Sequence, residues 1–261
     1  MTQRPSWWNE ALKQQRAFEA WLERREIILA RRIGAARNKF VRDAANQYAM
    51  SPDTTFAFLM RNHRERIERI LVESYTKVIP ERAGVTLDAV RSLKRWPQYN
   101  GYFARLVQMW IAMNAGANAT TIAATAMADV RRAIDRGAAE GKGSREIGRE
   151  IRKVTGLTVS RALTVARTEI HGAALFASEE ISKQAERDFG VRLMKFWIPT
   201  LDARTRDAHA EMAGNEGVPM DGKFNVGGKM MSRPSDPAGG AANVINCRCS
   251  LIYREVEYAI E

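Results

Sequence analysis

A chain of 261 residues is long enough to bury one or two hydrophobic cores, and 45% hydrophobic with 27% charged residues is a globular composition. No apolar run approaches the ~18 residues of a membrane-spanning helix, so no membrane partner is expected, and the opening Met1 to Glu10 lacks the apolar core of a secretion signal. The formal net charge of +11 is lopsided: residues 1–80 and 81–160 each carry an excess of six basic groups, whereas 161–261 carry an excess of one acidic group. That asymmetry predicts contact between the first part and a polyanion or an acidic protein, the bland alternative being a solvated, arginine-rich helix surface.

Ser6 is placed to cap a helix that starts near Trp7 or Trp8 and runs to about Met50, where Ser51-Pro52 stops it. Phe18, Leu22, Leu29, Ile33, Ala36, Phe40 and Ala44 recur at helical spacing and form one apolar stripe. Arg24, Arg31, Arg32, Arg37, Lys39 and Arg42 flank it and are the candidate residues for DNA or protein contact. A second helix is predicted from Asp53 to about Val78, ended by Pro80, followed by a short helix from Thr86 to about Leu93. His63, among arginines and glutamates, is expected at the solvated surface.

Helix is predicted again from Tyr102 to about Ala139, with Gly116 a candidate interruption. Ser144 is expected to cap a helix to about Val154, without the reciprocal Glu of a capping box. Thr158 or Ser160 then opens a helix reaching Arg187, with Leu163, Ala166, Ile170, Ala173, Ala177 and Ile181 on one stripe. Beyond Gly190 the pattern changes. Val191–Ile198 alternates as a strand, Gly214–Asn243 is rich in turn residues, and Asn243–Tyr253 reads as a strand carrying both cysteines on one face. The expected fold class is α+β: a basic helical region over 1–140, a helical connector over 141–189 and a small α+β domain over 190–261.

The last part concentrates the residue types that chemistry uses. If Leu201–Glu211 is a helix, Asp202, Arg206 and His209 share a face, with Asp202 placed to cap the helix or pair with Arg206. Packing this helix on the cysteine strand would bring His209, Asp202, Cys247 and Cys249 together, a set able to bind zinc. Zinc sites more often separate paired cysteines by two to four residues, and free cysteines often simply pack, so buried thiols beside a hydrogen-bonded histidine is the competing reading. A catalytic Cys-His pair lacks an identifiable orienting partner. Two thiols at i and i+2 do not readily form a disulfide, so a reducing place of synthesis is expected. Arg167 and Glu169, two apart on a helix, point different ways and are either an interdomain clamp or ordinary surface charges.

Taken in order, these residues resemble the phage Mu F-like minor head proteins, or phage head-morphogenesis proteins. The resemblance runs from about 140 to 253 through Ala166-Arg167-Thr168-Glu169, Trp197, Asp202, Thr205-Arg206 and His209. It continues through Gly214, Asp221, Phe224, Gly228, Pro234-Ser235-Asp236-Pro237 and Ile245-Asn246-Cys247-Arg248-Cys249. The resemblance implies a structural component of the virion, made in the bacterial cytoplasm and placed inside the phage head. Its expected partners are the portal protein, other capsid or scaffolding proteins and non-specifically bound double-stranded DNA. It does not imply an enzyme, and in so short a chain no appended effector domain is expected. No cofactor is expected either, a structural zinc at the His/Asp/Cys set read from the residues themselves being the one candidate. The alternatives from other classes are a zinc-dependent hydrolase or nuclease built on the His/Asp/Cys cluster, and a host DNA-packaging factor.

Overall fold

The computed structural model describes residues 5–91, 97–154 and 159–256. Five helices make up most of the chain: α1 (Trp8–Met50), α2 (Ala57–Arg91), α3 (Asn100–Ala139), α4 (Ser144–Lys153) and α5 (Val159–Phe189). After them come β1 (Leu193–Ile198), α6 (Asp207–Ala210), β2 (Val218–Pro219), β3 (Phe224–Val226), β4 (Lys229–Met231), α7 (Gly240–Val244) and β5 (Ser250–Glu255). The architecture is thus a mostly helical N-terminal part and a small C-terminal region with antiparallel strands, the expected α+β class. No helix among the described residues is long and apolar enough to cross a membrane.

The apolar stripe of α1 is buried along its whole length, from Phe18 to Ala44. Burial of such a stripe, rather than intrinsic propensity, stabilises a helix of 43 residues. α2 departs from expectation. It starts at Ala57, not Asp53, and runs through Pro80 into the segment predicted as a separate helix from Thr86. An internal proline costs roughly 3 kcal/mol. Buried Val78, Ile79, Ala83 and Leu87 on either side offset that cost and keep the helix continuous. Gly116 likewise does not interrupt α3.

At α4 the N-cap is Gly143, one residue before the predicted Ser144. Glu146 then occupies the third helical position and its carboxylate accepts the Gly143 N–H at 3.2 Å, so the acidic half of a capping box is present after all. Thr158, one of the two candidate starts of α5, lies outside the described residues.

The chain divides into two compact units that are not consecutive in sequence. One comprises Ile27–Ser74 and Trp110–Ala166. Its core gathers Phe40, Val41, Ala44 and Ala45 of α1, Ala126, Met127, Val130 and Ala133 of α3, and Ile147 and Ile151 of α4. Small residues set the spacing there: a Cβ on Gly148 would lie 3.1 Å from the Ala45 carbonyl oxygen. His63 is 1% exposed and stacks on Phe40 at 4.7 Å, which overturns its expected surface position. The stripe of α1 supplies an aromatic partner that helix periodicity in α2 alone does not reveal.

The other unit comprises Met1–Glu26, Tyr75–Met109 and Arg167–Glu261. Its sheet has the order β2-β1-β5, all antiparallel, with Trp197 opposite Leu251 and Ile198 opposite Ser250. Phe196, Ile198 and Ile252 pack against Trp8 and Ala11 of α1. Trp197 and Leu251 pack with Phe224, Val226, Met231, Cys247 and Cys249. β3 and β4 form a hairpin whose two loop residues, Gly227 and Gly228, have φ of 57° and 77°. Two positive φ values in a two-residue loop are what a type I′ turn needs, and glycine meets them without steric cost.

Candidate functional site

Two sequence expectations change locally before the site comes together. Leu201–Glu211 is not one helix: only Asp207–Ala210 is helical, and Asp202 lies in the turn ahead of it. The cysteines precede β5 rather than lying on it. The end of α7 explains the second change, because Asn246 takes a left-handed φ of 59° just past that helix. Asparagine tolerates this conformation at a helix end, and it redirects the chain into an irregular segment where both sulfurs point inward.

His209, Cys247 and Cys249 are each 2% exposed. His209 Nδ1 lies 3.3 Å from Cys249 Sγ and 3.7 Å from Cys247 Sγ. On the far side of the ring, Nε2 meets Asn243 Oδ1 at 3.3 Å, while the Asn243 amide nitrogen donates to the carbonyls of Val226 and Gly239. Those two acceptors orient the amide so that its oxygen faces His209. The imidazole proton is therefore on Nε2, and the Nδ1 lone pair faces the sulfurs. Trp197 packs edge-on against the ring at 5.5 Å and fixes its plane. Hydrogen bonding between the thiols holds Cys247 below the usual thiol range, while the same contact together with burial pushes Cys249 well above it.

Asp202 stands apart from this cluster. Arg248 donates to both of its carboxylate oxygens at 2.6 Å, replacing the expected Asp202–Arg206 pair. Those bonds hold the Asp202 carboxyl well below the usual carboxylate range. Arg206 instead donates to the Ile245 carbonyl at 2.6 Å. Among the described residues, the candidate metal-ligand atoms that converge are those of His209, Cys247 and Cys249. A cleft of about 10 Å³ lined by Thr200, Thr205, Arg206, Asn246 and Arg248 opens on them.

Arg167 bridges two elements of its unit, donating to Glu26 of α1 at 3.0 Å and to Asn246 Oδ1 at 2.6 Å. Burial raises the Glu26 pKa against the opposing pull of Arg167. Glu169 points another way and accepts the Tyr75 hydroxyl proton. The Asn246 N–H donates to Thr168 Oγ1 at 3.1 Å, so Arg167 and Thr168 together clamp the turn that aims the cysteines. Gly214 takes a φ of 76° in the chain after α6.

In the Pro234-Ser235-Asp236-Pro237 segment, Pro234 is buried and Ser235 has a φ of 62°. Asp236 accepts the N–H groups of Ser232 at 2.7 Å and Ala238 at 3.0 Å, capping the short 3-10 turn that Pro237 begins. Burial pushes the Asp236 carboxyl up, but these donors outweigh it and leave the pKa lowered.

Several residues here were not visible in the sequence pattern. His171 of α5 is buried, and its Nε2–H donates to the Cys249 carbonyl at 2.7 Å while Nδ1 accepts from the Ser235 hydroxyl at 2.7 Å. Burial lowers its pKa to about 4, so the ring is neutral. Lys195, fully buried in β1, pairs with buried Glu179 of α5 at 2.8 Å, and Arg233 reaches the other Glu179 oxygen at 3.1 Å. The available signals were Lys195 amid the apolar Leu193–Ile198 and the small residues Gly172–Ala174 beside His171, which mark a helix buried all round.

The candidate contact residues of α1 separate by exposure. Arg24, Arg31, Lys39 and Arg42 are exposed, with Lys39 3.0 Å from Asp43, and Arg32 pairs with Glu73. Arg37 does not belong with them. It is 2% exposed and pairs with Asp129 at 2.7 Å inside its unit.

Comparison with known proteins adds the family context. Residues 128–252 match the model of the family described as "Phage Mu protein F like protein". The minor head protein GP7 of Bacillus phage SPP1 is 30% identical over 126 residues, which are 48% of this chain and 40% of that protein. An NAD(+)--arginine ADP-ribosyltransferase, EFV, of Enterococcus faecalis is 34% identical over 113 residues, 43% of this chain and 23% of that protein. The chain thus spans less than half the length of either relative. No solved structure matches. The matched segment holds the clamp, the capped turn and the His/Cys cluster: residues 128–252 are a phage Mu protein F-like domain, and the chain is distantly homologous to a phage minor head protein.

Proposed function

We propose that this chain is a minor capsid and head-morphogenesis protein of a tailed phage, lying inside the head, associated with the portal and contacting packaged DNA. The observation that carries the reading is the F-like domain, together with the 30% identity to a minor head protein over 126 residues. The basic excess of residues 1–160, with Arg24, Arg31, Lys39 and Arg42 exposed on α1, supports a sequence-independent contact with phosphate or with an acidic protein surface. Other capsid or scaffolding proteins are further partners. The chemistry is that of assembly, helping head formation, packaging or delivery. Burial of His209, Cys247 and Cys249 beside a cleft of only about 10 Å³, room for a water but not for a substrate, favours a structural over a hydrolytic role for them. The activity in the name of the Enterococcus relative is not carried over, because the match covers 23% of that protein.

Purified heads digested and quantified by mass spectrometry test the reading. The chain is expected at low copy number and cross-linked to portal subunits. Its absence from particles, or normal infectious heads assembled without it, would sink the proposal.

A further inference from the structure

We propose that His209 Nδ1, Cys247 Sγ and Cys249 Sγ bind a zinc ion, with a water from the adjoining cleft as fourth ligand. Although a water completes the ligand set, a cleft of about 10 Å³ admits nothing larger, so the ion's role is to tie α6 to the segment between α7 and β5. This inference does not rest on the portal reading.

Distances are the first support. Tetrahedral zinc, with bonds of about 2.0–2.1 Å to nitrogen and 2.3 Å to sulfur, separates the two ligand atoms by about 3.5 Å. The observed separations of 3.3 Å and 3.7 Å bracket that value. Orientation is the second. A thiol–imidazole contact uses one S–H on one lone pair, yet here two sulfurs converge on a single Nδ1. The opposite nitrogen is held by Asn243, whose own amide is fixed by two carbonyls. A histidine ligand whose other N–H is held by an oriented acceptor is the usual outer arrangement of a metal site. Simple packing would not require it.

Charge is the third support. Zinc displaces both thiol protons, which leave to solvent, so two thiolates and a dication replace two neutral thiols and the net charge stays zero. The ion therefore adds no uncompensated charge to a buried cluster. The fourth position fits as well. About 10 Å³ beside the cluster is room for roughly one water molecule, and Thr205 lines that space. The Cys-Arg-Cys spacing, short for zinc, works here because Asn246 turns the chain before β5 begins.

The test uses the full chain, expressed with zinc and purified without chelator. Elemental analysis is expected to give one zinc per chain. Chelation followed by Co²⁺ titration should give a thiolate-to-cobalt charge-transfer band, tetrahedral visible bands and release of both thiol protons. Cys249→Ser should abolish them. Because a ligand substitution can unfold the region, Asn243→Ala is the companion variant: about a 10–100-fold loss of zinc affinity is expected with helical circular dichroism unchanged. A chain that is purified metal-free and gives no cobalt band overturns the proposal, as does stoichiometric zinc retained in Cys249→Ser. A different ion at these ligands overturns the zinc assignment.

Discussion

His63 is held neutral by its surroundings: burial first, then Arg66 and Arg37, lower its pKa from 6.5 to about 4. The folded-state value lies below the ordinary one, so the associated stability is present in full above pH 6.5 and is lost as pH falls towards 4. Over that window the unfolded chain takes up a proton that the native chain refuses. The loss is about 3 kcal/mol. Neither ring nitrogen of His63 has a hydrogen-bond partner among the described residues, so His63→Phe should keep the stack on Phe40 and the stability at pH 7. It should flatten the acid limb, as urea midpoints followed from pH 7 to pH 4 will show. An unchanged acid limb would count against the assignment. Asp202 and Arg248 behave differently, because solvent screens a pair whose carboxylate is 36% exposed. Asp202→Asn should therefore cost no more than about 1 kcal/mol in the same denaturation assay.

Individual elements are fixed by a few contacts of opposite character. β1 joins α5 through Lys195 and Glu179, which are 0% and 1% exposed. Lys195→Met leaves the Glu179 carboxylate with Arg233 but strips its closest cation. A loss of about 3 kcal/mol is expected in equilibrium unfolding, since the buried carboxylate loses its shortest ion pair and keeps only the longer ones to Arg233 and Lys183. The β3–β4 hairpin depends on backbone conformation rather than charge. A Cβ on Gly228 would meet nothing within 4 Å, so the cost of substitution there is the left-handed φ alone. Gly228→Ala should cost about 1 kcal/mol, Gly228→Asn less and Gly228→Val more, an order that thermal unfolding of the three variants will check. Equal costs would mean that the turn is not the type I′ form described.

For the whole molecule, charge and packing assign different work to neighbouring arginines of one helix. On the proposed DNA contact, replacing Arg31, Lys39 and Arg42 by Gln should weaken binding to DNA and lower the salt slope by about 0.9 for each phosphate that is no longer neutralised, with stability little changed. Arg37→Met should do the reverse, lowering stability by removing the buried partner of Asp129, which keeps only its exposed pair with Arg132, and leaving the salt slope intact. Filter binding across a salt series, paired with denaturant unfolding, separates the two. A salt slope that ignores the triple substitution would remove α1 from the DNA-contact reading.

The sequence by itself determined helix in the segments of α1, α3, α4 and α5, the burial of the α1 stripe from Phe18 to Ala44, a strand over 191–198 of which Leu193–Ile198 pairs, and the family motif. These are local signals, because helical periodicity, turn residues and short ordered spacings are written in consecutive residues. Tertiary structure alone decided that α2 continues through Pro80, that His63 and Arg37 are interior, and that Asp202 pairs with Arg248 rather than Arg206. It alone also brought His171 to Ser235 and Cys249, and Lys195 to Glu179. Each of these depends on a partner far away in sequence, and the energy that settles it is burial or ion pairing supplied by that partner. Even the cysteines, conspicuous in the sequence, acquired their shared direction from the left-handed turn at Asn246 and the clamp of Arg167 and Thr168 that holds it.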